Sequence, residues 1–139
     1  MIYNFRKIHS LCYSYKFKLN VLITGATGNV GLEIISILKE LQQPINLASG
    51  VRDITKAKRN FPILEDIKCV EFDFEKESTF DSALDNIDII FLLRPPHIVD
   101  IKTYFEPLIC KIFDKGIKKI VFFVSSRSRE NNSNTTQKN

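Results

Sequence analysis

Residues 21–31, VLITGATGNVG, decide how this chain folds. The stretch begins with a continuous apolar run, Val21–Ile23, which is typical of a strand buried on both faces of a parallel sheet. Three glycines follow at equal intervals, and a helical pattern of apolar residues begins among them. The stretch therefore predicts a buried strand, a glycine-rich turn and a helix, and the rest of the chain is organised around this turn.

Each glycine has its own role in such a turn. Gly25 permits the tight turn out of the strand, Gly28 lets the backbone approach a ligand phosphate, and Gly31 lets the helix lie close to the sheet. The first N–H groups of the helix and its dipole attract an anion. Glycines also mark ordinary turns, but the strand before and the helix after indicate a nucleotide pyrophosphate site. Three neighbouring polar side chains can add hydrogen bonds: Thr24, Thr27 and Asn29.

The remaining chain alternates strand and helix patterns. Strands are predicted at about residues 20–24, 45–51, 68–72, 88–93 and 120–124, and helices at about 29–42, 55–60, 78–84 and 99–115. This alternation implies right-handed crossovers and an α/β fold, a doubly wound parallel sheet of about five strands with helices on both faces. The expected strand order is 3-2-1-4-5, which places the ligand crevice between strands one and four.

Several local features of these elements are also predicted. Ser78 and Asp81 resemble a capping box at the start of the third helix, and Gly116 is expected to terminate the last one. Pro107 is expected to kink that last helix. The buried stripe of the first helix is expected to contain Val30, Ile34, Ile35, Ile37, Leu38 and Leu41. The corresponding stripe of the last helix is expected to contain Ile101, Phe105, Leu108, Ile109 and Ile112.

Composition indicates one ordinary globular domain. The 139 residues are 44% hydrophobic and 26% charged, and the net charge of +4 comes from the two ends. The body therefore carries no basic patch typical of nucleic-acid binding. Three widely spaced cysteines fit reduced thiols in the cytoplasm and show no metal-ligand spacing. No apolar run approaches the roughly 18 residues that span a membrane.

The two ends differ from the body. Residues 1–18 are basic and aromatic and contain no acid, so we interpret them as a leader before the domain, with a targeting segment as the less favoured alternative. Residues 127–139 contain no hydrophobic side chain and are predicted to be a disordered polar tail. The folded domain is accordingly predicted to be residues 19–126.

The end of strand two bears on the choice of cofactor. Many dinucleotide sites place an acid there to bind the ribose 2′-hydroxyl, whereas an arginine can pair with a 2′-phosphate. Arg52 occupies this position, 21 residues after Gly31. It favours NADP(H) over NAD(H), although Asp53 follows directly and can still bind a ribose. The alternative is that Arg52 is an ordinary solvated loop residue.

Polar residues also follow strands three, four and five. Asp73 and the Phe74 N–H can reach an adenine edge, or Asp73 can simply cap a turn. Arg94 can line a ribose or attract an anionic substrate, or be an ordinary loop cation. His97 is a less favoured candidate for a general acid, since no partner is identifiable. Ser125 ends strand five and is predicted to face the same crevice.

Five motifs together resemble one protein family. TGATGNVG at 24–31, VRD at 51–53, DF at 73–74, FLLRPP at 91–96 and VFFVSS at 121–126 are similar to the atypical short-chain dehydrogenase/reductase family, in its NmrA-like and quinone-reductase-like branch. The resemblance covers about residues 19–126. It implies a Rossmann fold that binds NAD(P)(H).

The resemblance also implies roles for single residues. The pyrophosphate would be bound by Gly25, Thr27, Gly28, Asn29 and Val30. Arg52 would contact the adenosine phosphate, and Asp73 and Phe74 the adenine. Leu93 and Arg94 would flank the ribose, and Ser125 would lie near the nicotinamide.

The chain departs from the family after strand five. Catalytic members have a Tyr-x-x-x-Lys pair in a further half of the fold, whereas the residue four after Tyr104 is Leu108. We therefore assign no catalytic residue and no metal ligand, and expect a truncated domain that binds cofactor without full catalysis. The alternative is an NAD(P)H-dependent oxidoreductase acting on a small quinone-like or carbonyl acceptor. A third interpretation is a poorly folded product with an uncovered sheet edge.

Overall fold

The computed structural model describes residues 18–123. Within this range five strands alternate with four α-helices and two short 3₁₀ turns, the latter at Pro62–Leu64 and Glu77–Thr79. The strands are β1 (Leu19–Thr24), β2 (Ile45–Val51), β3 (Lys68–Glu71), β4 (Ile89–Leu93) and β5 (Lys119–Phe123). The helices are α1 (Asn29–Glu40), α2 (Ile54–Asn60), α3 (Phe80–Ala83) and α4 (Ile101–Asp114).

All five strands form one parallel sheet in the order β3-β2-β1-β4-β5. The predicted fold class and strand order are therefore confirmed. The central strand β1 pairs with β2 from Leu19↔Ile45 to Thr24↔Gly50 and with β4 from Val21↔Ile89 to Ile23↔Phe91. The reversal of strand order lies between β1 and β4, where open sheets of this type bind ligands.

Two buried clusters cover the two faces of the sheet. Alternate residues of β1 point to opposite faces, so Leu22 belongs to one cluster while Val21 and Ile23 belong to the other. The Leu22 side is closed by α3 and α4, through residues such as Phe80 and Leu108. The opposite side is closed by α1 and α2. Burial on both faces explains why β1 is a continuous apolar run.

The predicted buried stripe of α1 was partly wrong. The sheet-facing side of the helix is centred on Gly31 and Ile35, with Ile34 and Leu38 partly buried, whereas three predicted members are exposed: Val30, Ile37 and Leu41. At about 100° per residue, positions 30, 37 and 41 lie a quarter turn away from positions 31, 35 and 38. The close approach of Gly31 to the turn at Gly25 and Ala26 selects which of the two apolar stripes is buried.

Two further local predictions were wrong. Ser78 provides no cap, because it lies inside a 3₁₀ turn, and the following α3 begins without a side-chain cap. The neighbouring Thr79 hydroxyl is the group that organises this turn, donating to the Lys76 carbonyl at 2.8 Å. In α4, Ile101 is half exposed because it lies in the first turn, beyond the buried residues Phe105, Leu108 and Ile112.

The C-terminal end of α4 follows the prediction. Gly116 has a φ of 67° and directly follows the C-cap residue Lys115, so it occupies the left-handed position that glycine favours. No helix within residues 18–123 is long and apolar enough to cross a membrane. The predicted leader, the predicted tail and Ser125 lie outside the described residues, apart from Lys18.

Candidate functional site

A cleft of about 330 Å³ lies at the carboxyl end of the sheet, over the point where β1 and β4 diverge. Its walls come from the residues that follow all of the first four strands and from the last residue of β5. Because all strands are parallel, their carboxyl ends meet at one edge of the sheet, and residues that are distant in sequence come together there. The glycine-rich turn forms the floor.

The turn after β1 depends on two glycines for different reasons. Gly25 has a φ of 61°, which is the left-handed conformation that other residues rarely adopt. A Cβ atom at Gly31 would lie 2.3 Å from the Gly25 carbonyl oxygen and 2.8 Å from the Ala26 Cα atom. A side chain at position 31 would therefore collide with the backbone of the turn. Glycine at this position allows the first turn of α1 to pack directly against the backbone of Gly25 and Ala26.

The first turn of α1 offers donors to a ligand. Among the described residues, α1 has no side-chain cap at Gly28 and no acidic residue in its first turn. The Gly28 N–H donates to the Gly25 carbonyl at 3.0 Å, and the Leu32 N–H donates to the Gly28 carbonyl at 2.9 Å. Asn29, Val30 and Gly31 line the cleft, and the N–H groups of this helix start carry the partial positive charge of the helix dipole. This arrangement is suited to a phosphate.

Thr24 does not contribute to the ligand side of this turn, contrary to the prediction. Its side chain is fully buried, donates to the Phe91 carbonyl at 3.2 Å and accepts from the Leu93 N–H at 2.9 Å. These two bonds tie the end of β1 to β4 at the place where the strands separate. Thr24 therefore stabilises the base of the cleft, whereas Thr27 and Asn29 line it.

Arg52, directly after β2, lines the cleft, whereas its neighbour Asp53 caps α2. Arg52 is exposed, and within residues 18–123 it makes no hydrogen bond or ion pair with another side chain. A carboxylate oxygen of Asp53 accepts the Lys56 N–H at 2.9 Å and so caps α2. A second recess beside the first is lined by both side chains together with Thr27, Lys56 and Asn60.

The loop after β3 places one polar and one apolar side chain. Asp73 lines the cleft, and one of its carboxylate oxygens accepts the Glu75 N–H at 3.0 Å, so it also organises the turn. Phe74 is buried, with its ring 5.0 Å from the Phe72 ring and 5.1 Å from the Phe105 ring, measured between centroids. Its position in the core fixes where the loop leaves the sheet.

The loop after β4 is braced from inside. The Arg94 Nη1 atom donates to the Ile98 carbonyl at 2.6 Å, and the Ile98 N–H donates to the Pro95 carbonyl at 3.1 Å. Arg94 is half-buried and lines the cleft, so one end of its guanidinium fixes the loop while the rest faces the ligand space. His97 lines the rim of the same cleft.

The cleft brings together every predicted site residue that the structure describes. These ten residues line it: Gly25, Thr27, Gly28, Asn29, Val30, Arg52, Asp73, Phe74, Leu93 and Arg94. Ser125, the eleventh, lies outside the described residues. The roles that the resemblance implies for these residues stay predictions, since a shared wall does not identify a ligand.

The sequence did not indicate several other lining residues. At Gly50 a Cβ atom would lie 3.1 Å from the Phe72 Cβ atom, so the glycine allows β2 and the end of β3 to approach. Phe123 reaches the cleft from β5. Lys56 lines the recess beside Arg52. What these residues share is a position at or near the end of a parallel strand, and this position can be used for prediction only once the strand ends are known.

No cluster of three or more His, Cys, Asp or Glu side chains suited to a metal ion occurs in the described part of the chain. Its two cysteines, Cys69 and Cys110, are free. Besides the residues of the glycine-rich turn and first helical turn, the walls combine apolar side chains with four polar ones: Arg52, Asp73, Arg94 and His97. The site can therefore bind a phosphorylated ligand with flat apolar parts.

A parallel sheet of order 3-2-1-4-5, with a glycine-rich turn after its central strand, defines a Rossmann-type fold. Comparison with solved structures agrees. The Citrobacter sp. triphenylmethane reductase complexed with NADP(H) matches with a TM-score of 0.64 and 19% identity, over 73% of this chain and 36% of that one. The Escherichia coli NADPH-dependent quinone oxidoreductase QOR2 complexed with NADPH matches with a TM-score of 0.63 and 24% identity, over 73% and 35%.

Curated relatives are similar over a comparable range. Prestalk A differentiation protein A of Dictyostelium discoideum is 31% identical over 104 residues, which is 75% of this chain and 34% of the relative. The uncharacterized oxidoreductase YesF of Bacillus subtilis is 32% identical over 111 residues, 80% of this chain and 36% of the relative. No protein-family model matches the chain.

The resemblance predicted from the sequence is confirmed at the level of the fold. The described residues share the Rossmann-type fold of these solved reductases. The chain spans about a third of the length of the curated relatives it matches.

Proposed function

We propose that the cleft binds a nicotinamide dinucleotide. The observation that carries this proposal is the convergence of ten independently predicted residues, from the ends of four strands, on one cleft floored by the first turn of α1. The open N–H groups of that turn suit the pyrophosphate. The apolar walls suit the flat ring systems of the ligand. Two similar structures contain NADP(H) or NADPH, which agrees with this assignment.

We further propose that NADP(H) binds better than NAD(H). Arg52 and Lys56 flank the same recess beside the cleft, and together they offer two positive charges to a 2′-phosphate. Asp53 also lines this recess, and one of its carboxylate oxygens accepts the Lys56 N–H, so two cations stand against one carboxylate there. The chemistry of the recess therefore favours a phosphate over a bare ribose.

The binding unit that we propose is residues 19–126, as the sequence predicted. We propose cofactor binding as its activity, because Leu108 stands where a Tyr-x-x-x-Lys pair beginning at Tyr104 would need its lysine. The free thiols of Cys69 and Cys110 suit a reducing compartment, and we place the protein in the cytoplasm on that ground.

Calorimetric titration of NADPH and NADH into the purified chain tests the binding proposal. We expect a weak interaction, with a Kd of roughly micromolar or higher, because the described walls cover mainly the adenosine and phosphate side of such a ligand. Circular dichroism on the same sample shows whether it is folded. A folded chain that releases no heat with either cofactor would contradict the proposal.

The cofactor preference has its own test in Arg52→Ala. Loss of a charge-assisted hydrogen bond to phosphate should weaken NADPH binding roughly tenfold to a hundredfold and leave NADH binding almost unchanged. Arg59→Ala is the matched control, since Arg59 is an exposed arginine of α2 that lines neither the cleft nor the recess. Equal losses for the two cofactors would refute the phosphate role of Arg52.

A second candidate function is hydride transfer to a small quinone-like or carbonyl acceptor. Phe123 favours it, because an aromatic side chain at the end of β5 adds an apolar wall beside Leu93, next to the central crevice. The relevant measurement is the loss of NADPH absorbance with a soluble benzoquinone. Turnover faster than the reaction without protein would support this candidate, and its absence in a chain that binds NADPH would leave binding as the function.

A further inference from the structure

The loops after β3 and β4 face each other across the rim of the cleft. His97 lines the cleft from the β4 side, and its Nε2 atom lies 3.7 Å from a carboxylate oxygen of Glu75 on the β3 side. Asp73 and Phe74, the residues before Glu75, also line the cleft. The contact between His97 and Glu75 therefore joins the two loops beside the space proposed for the dinucleotide.

Both partners stand on braced loops. On the β4 side, Ile98 is buried and its backbone is held by Arg94 and Pro95, so the residue before it has a defined position. On the β3 side, the Glu75 N–H donates to the Asp73 carboxylate. The two side chains themselves are about half exposed, at 51% for His97 and 47% for Glu75. A weak, reversible contact thus connects two firmly placed backbones.

The other charged groups near the rim leave this contact available. Lys76, next to Glu75, pairs with Glu71 at 2.9 Å. Asp100, at the start of α4, accepts the Thr103 hydroxyl and N–H. Three other charged residues line the cleft: Asp73 in the loop of Glu75, Arg94 in the loop of His97, and Arg52 after β2. Of the ionisable side chains here, histidine is the type that ordinarily changes charge between pH 5 and 8.

We propose that His97 and Glu75 form a pH-sensitive clasp over the cleft. With His97 protonated, an ion pair joins the two loops and narrows the entrance around a bound dinucleotide. With His97 neutral, that attraction is lost and the loops separate more easily. The clasp is a property of the same site, so its effect on binding rests on the proposed function.

The contact can be tested without any ligand. The chain contains two histidines, so the ring protons of His97 can be assigned in NMR spectra by comparison with His97→Gln. We expect a nuclear Overhauser contact between the His97 ring and the Glu75 side chain that is stronger at pH 6 than at pH 8. A contact that is absent at both pH values, or equal in the two, would overturn the clasp.

Binding of NADP⁺ at pH 6 and pH 8 tests its effect on the ligand. Glu75→Gln should weaken binding about twofold to fivefold at pH 6, as expected for loss of an exposed ion pair, and have little effect at pH 8. His97→Gln should behave alike, and the double variant should show no further loss. Comparing variants at one pH removes the titration of the ligand's own phosphate.

A matched control and a charge test complete the design. Glu77→Gln removes an exposed carboxylate two residues away that forms no ion pair within the described chain, so the pH dependence of binding should be unchanged. If His97 acted only as a positive charge near an anionic ligand, Glu75→Gln would tighten binding at pH 6, which would refute the clasp. A folded chain that binds no NADP⁺ at either pH would defeat the proposed function, whereas the NMR contact would still report on the clasp.

Discussion

The strand β4 pairs with two parallel strands, β1 and β5, which are similarly apolar but differ in burial. Its residue Phe91 pairs with Ile23 of β1 on one side and with Val121 of β5 on the other. Ile23 is fully buried, whereas Val121 is 36% exposed and every residue of β5 is exposed to some degree. Within the described chain, the sheet is therefore buried around β1 and exposed at β5.

The difference follows from what covers each strand. β1 lies between two other strands and has helices on both faces, so its last four residues, Val21–Thr24, are buried. β5 is the outer strand of the described sheet, and its contacts include the Phe122 ring, 5.6 Å from the Phe105 ring of α4. Apolar sequence alone therefore does not fix burial; the position of a strand in the sheet does. The phosphate half of the cleft belongs to the enclosed side.

The largest expected effect comes from breaking the enclosed side at Gly31. In Gly31→Ala the new Cβ atom would collide with the backbone of the glycine-rich turn, which cannot move without displacing β1 or α1. We expect a loss of about 4 kcal/mol or more in the free energy of unfolding, or no folded protein at all. Urea denaturation monitored by circular dichroism measures it.

Gly116→Ala is the matched control for this change. A Cβ atom at Gly116 would meet no atom within 4 Å, so the cost there is only that of a left-handed backbone, about 1–2 kcal/mol. A Gly31→Ala variant that is no less stable than Gly116→Ala would show that the close approach of α1 to the turn is not required.

An intermediate effect is expected from a matched pair of isoleucines on the two sides of β4. Ile23 in β1 is fully buried, whereas Ile120 in β5 is 37% exposed. We expect Ile23→Ala to lower the free energy of unfolding by about 2–5 kcal/mol and Ile120→Ala by about 1 kcal/mol or less. The strand propensity of the two substitutions is the same, so the difference measures enclosure. Equal losses in urea denaturation would mean that β5 is covered in solution.

The smallest expected effect concerns α4, which connects β4 to β5. The Asp100 carboxylate accepts hydrogen bonds from the Thr103 hydroxyl and from the Thr103 N–H. Both bonds, and the bond from the hydroxyl most, hold the pKa of Asp100 below its ordinary value. A carboxylate whose pKa is lower in the folded state contributes stability above its unfolded pKa, about 3.9, and loses it as the pH falls below that value. Asp100→Asn should therefore flatten the decline in stability below pH 4 slightly.

Asp114→Asn is the control for this prediction, because Asp114 lies at the opposite end of α4 and accepts no hydrogen bond from another side chain among the described residues. Thermal unfolding at pH 3, 4 and 6 is the measurement. A decline with falling pH that is identical in the wild type and Asp100→Asn would contradict the role of the cap.

The accuracy of the sequence predictions depended on how local their cause was. The strand–glycine–helix pattern at 21–31 needs only neighbouring residues, and it gave the correct turn. The buried face of α1 was predicted less well, because the helix has two apolar stripes a quarter turn apart. Only the close approach of Gly31 to the glycine-rich turn selects the stripe that is buried. The burial of the Thr24 side chain could not be predicted from the sequence either, since its hydrogen-bond partners are in β4, 67 and 69 residues away.

The sequence by itself determined the fold class, the strand order and the residues that gather at the carboxyl ends of the strands. These depend on periodicity, on glycine geometry and on the handedness of parallel crossovers, which are all local or general rules. Only the tertiary structure decided that Phe74 packs on Phe105 of α4, that Phe122 of β5 meets the same ring, and that His97 meets Glu75. Each of these depends on distances between side chains on different elements, and such distances are set by packing.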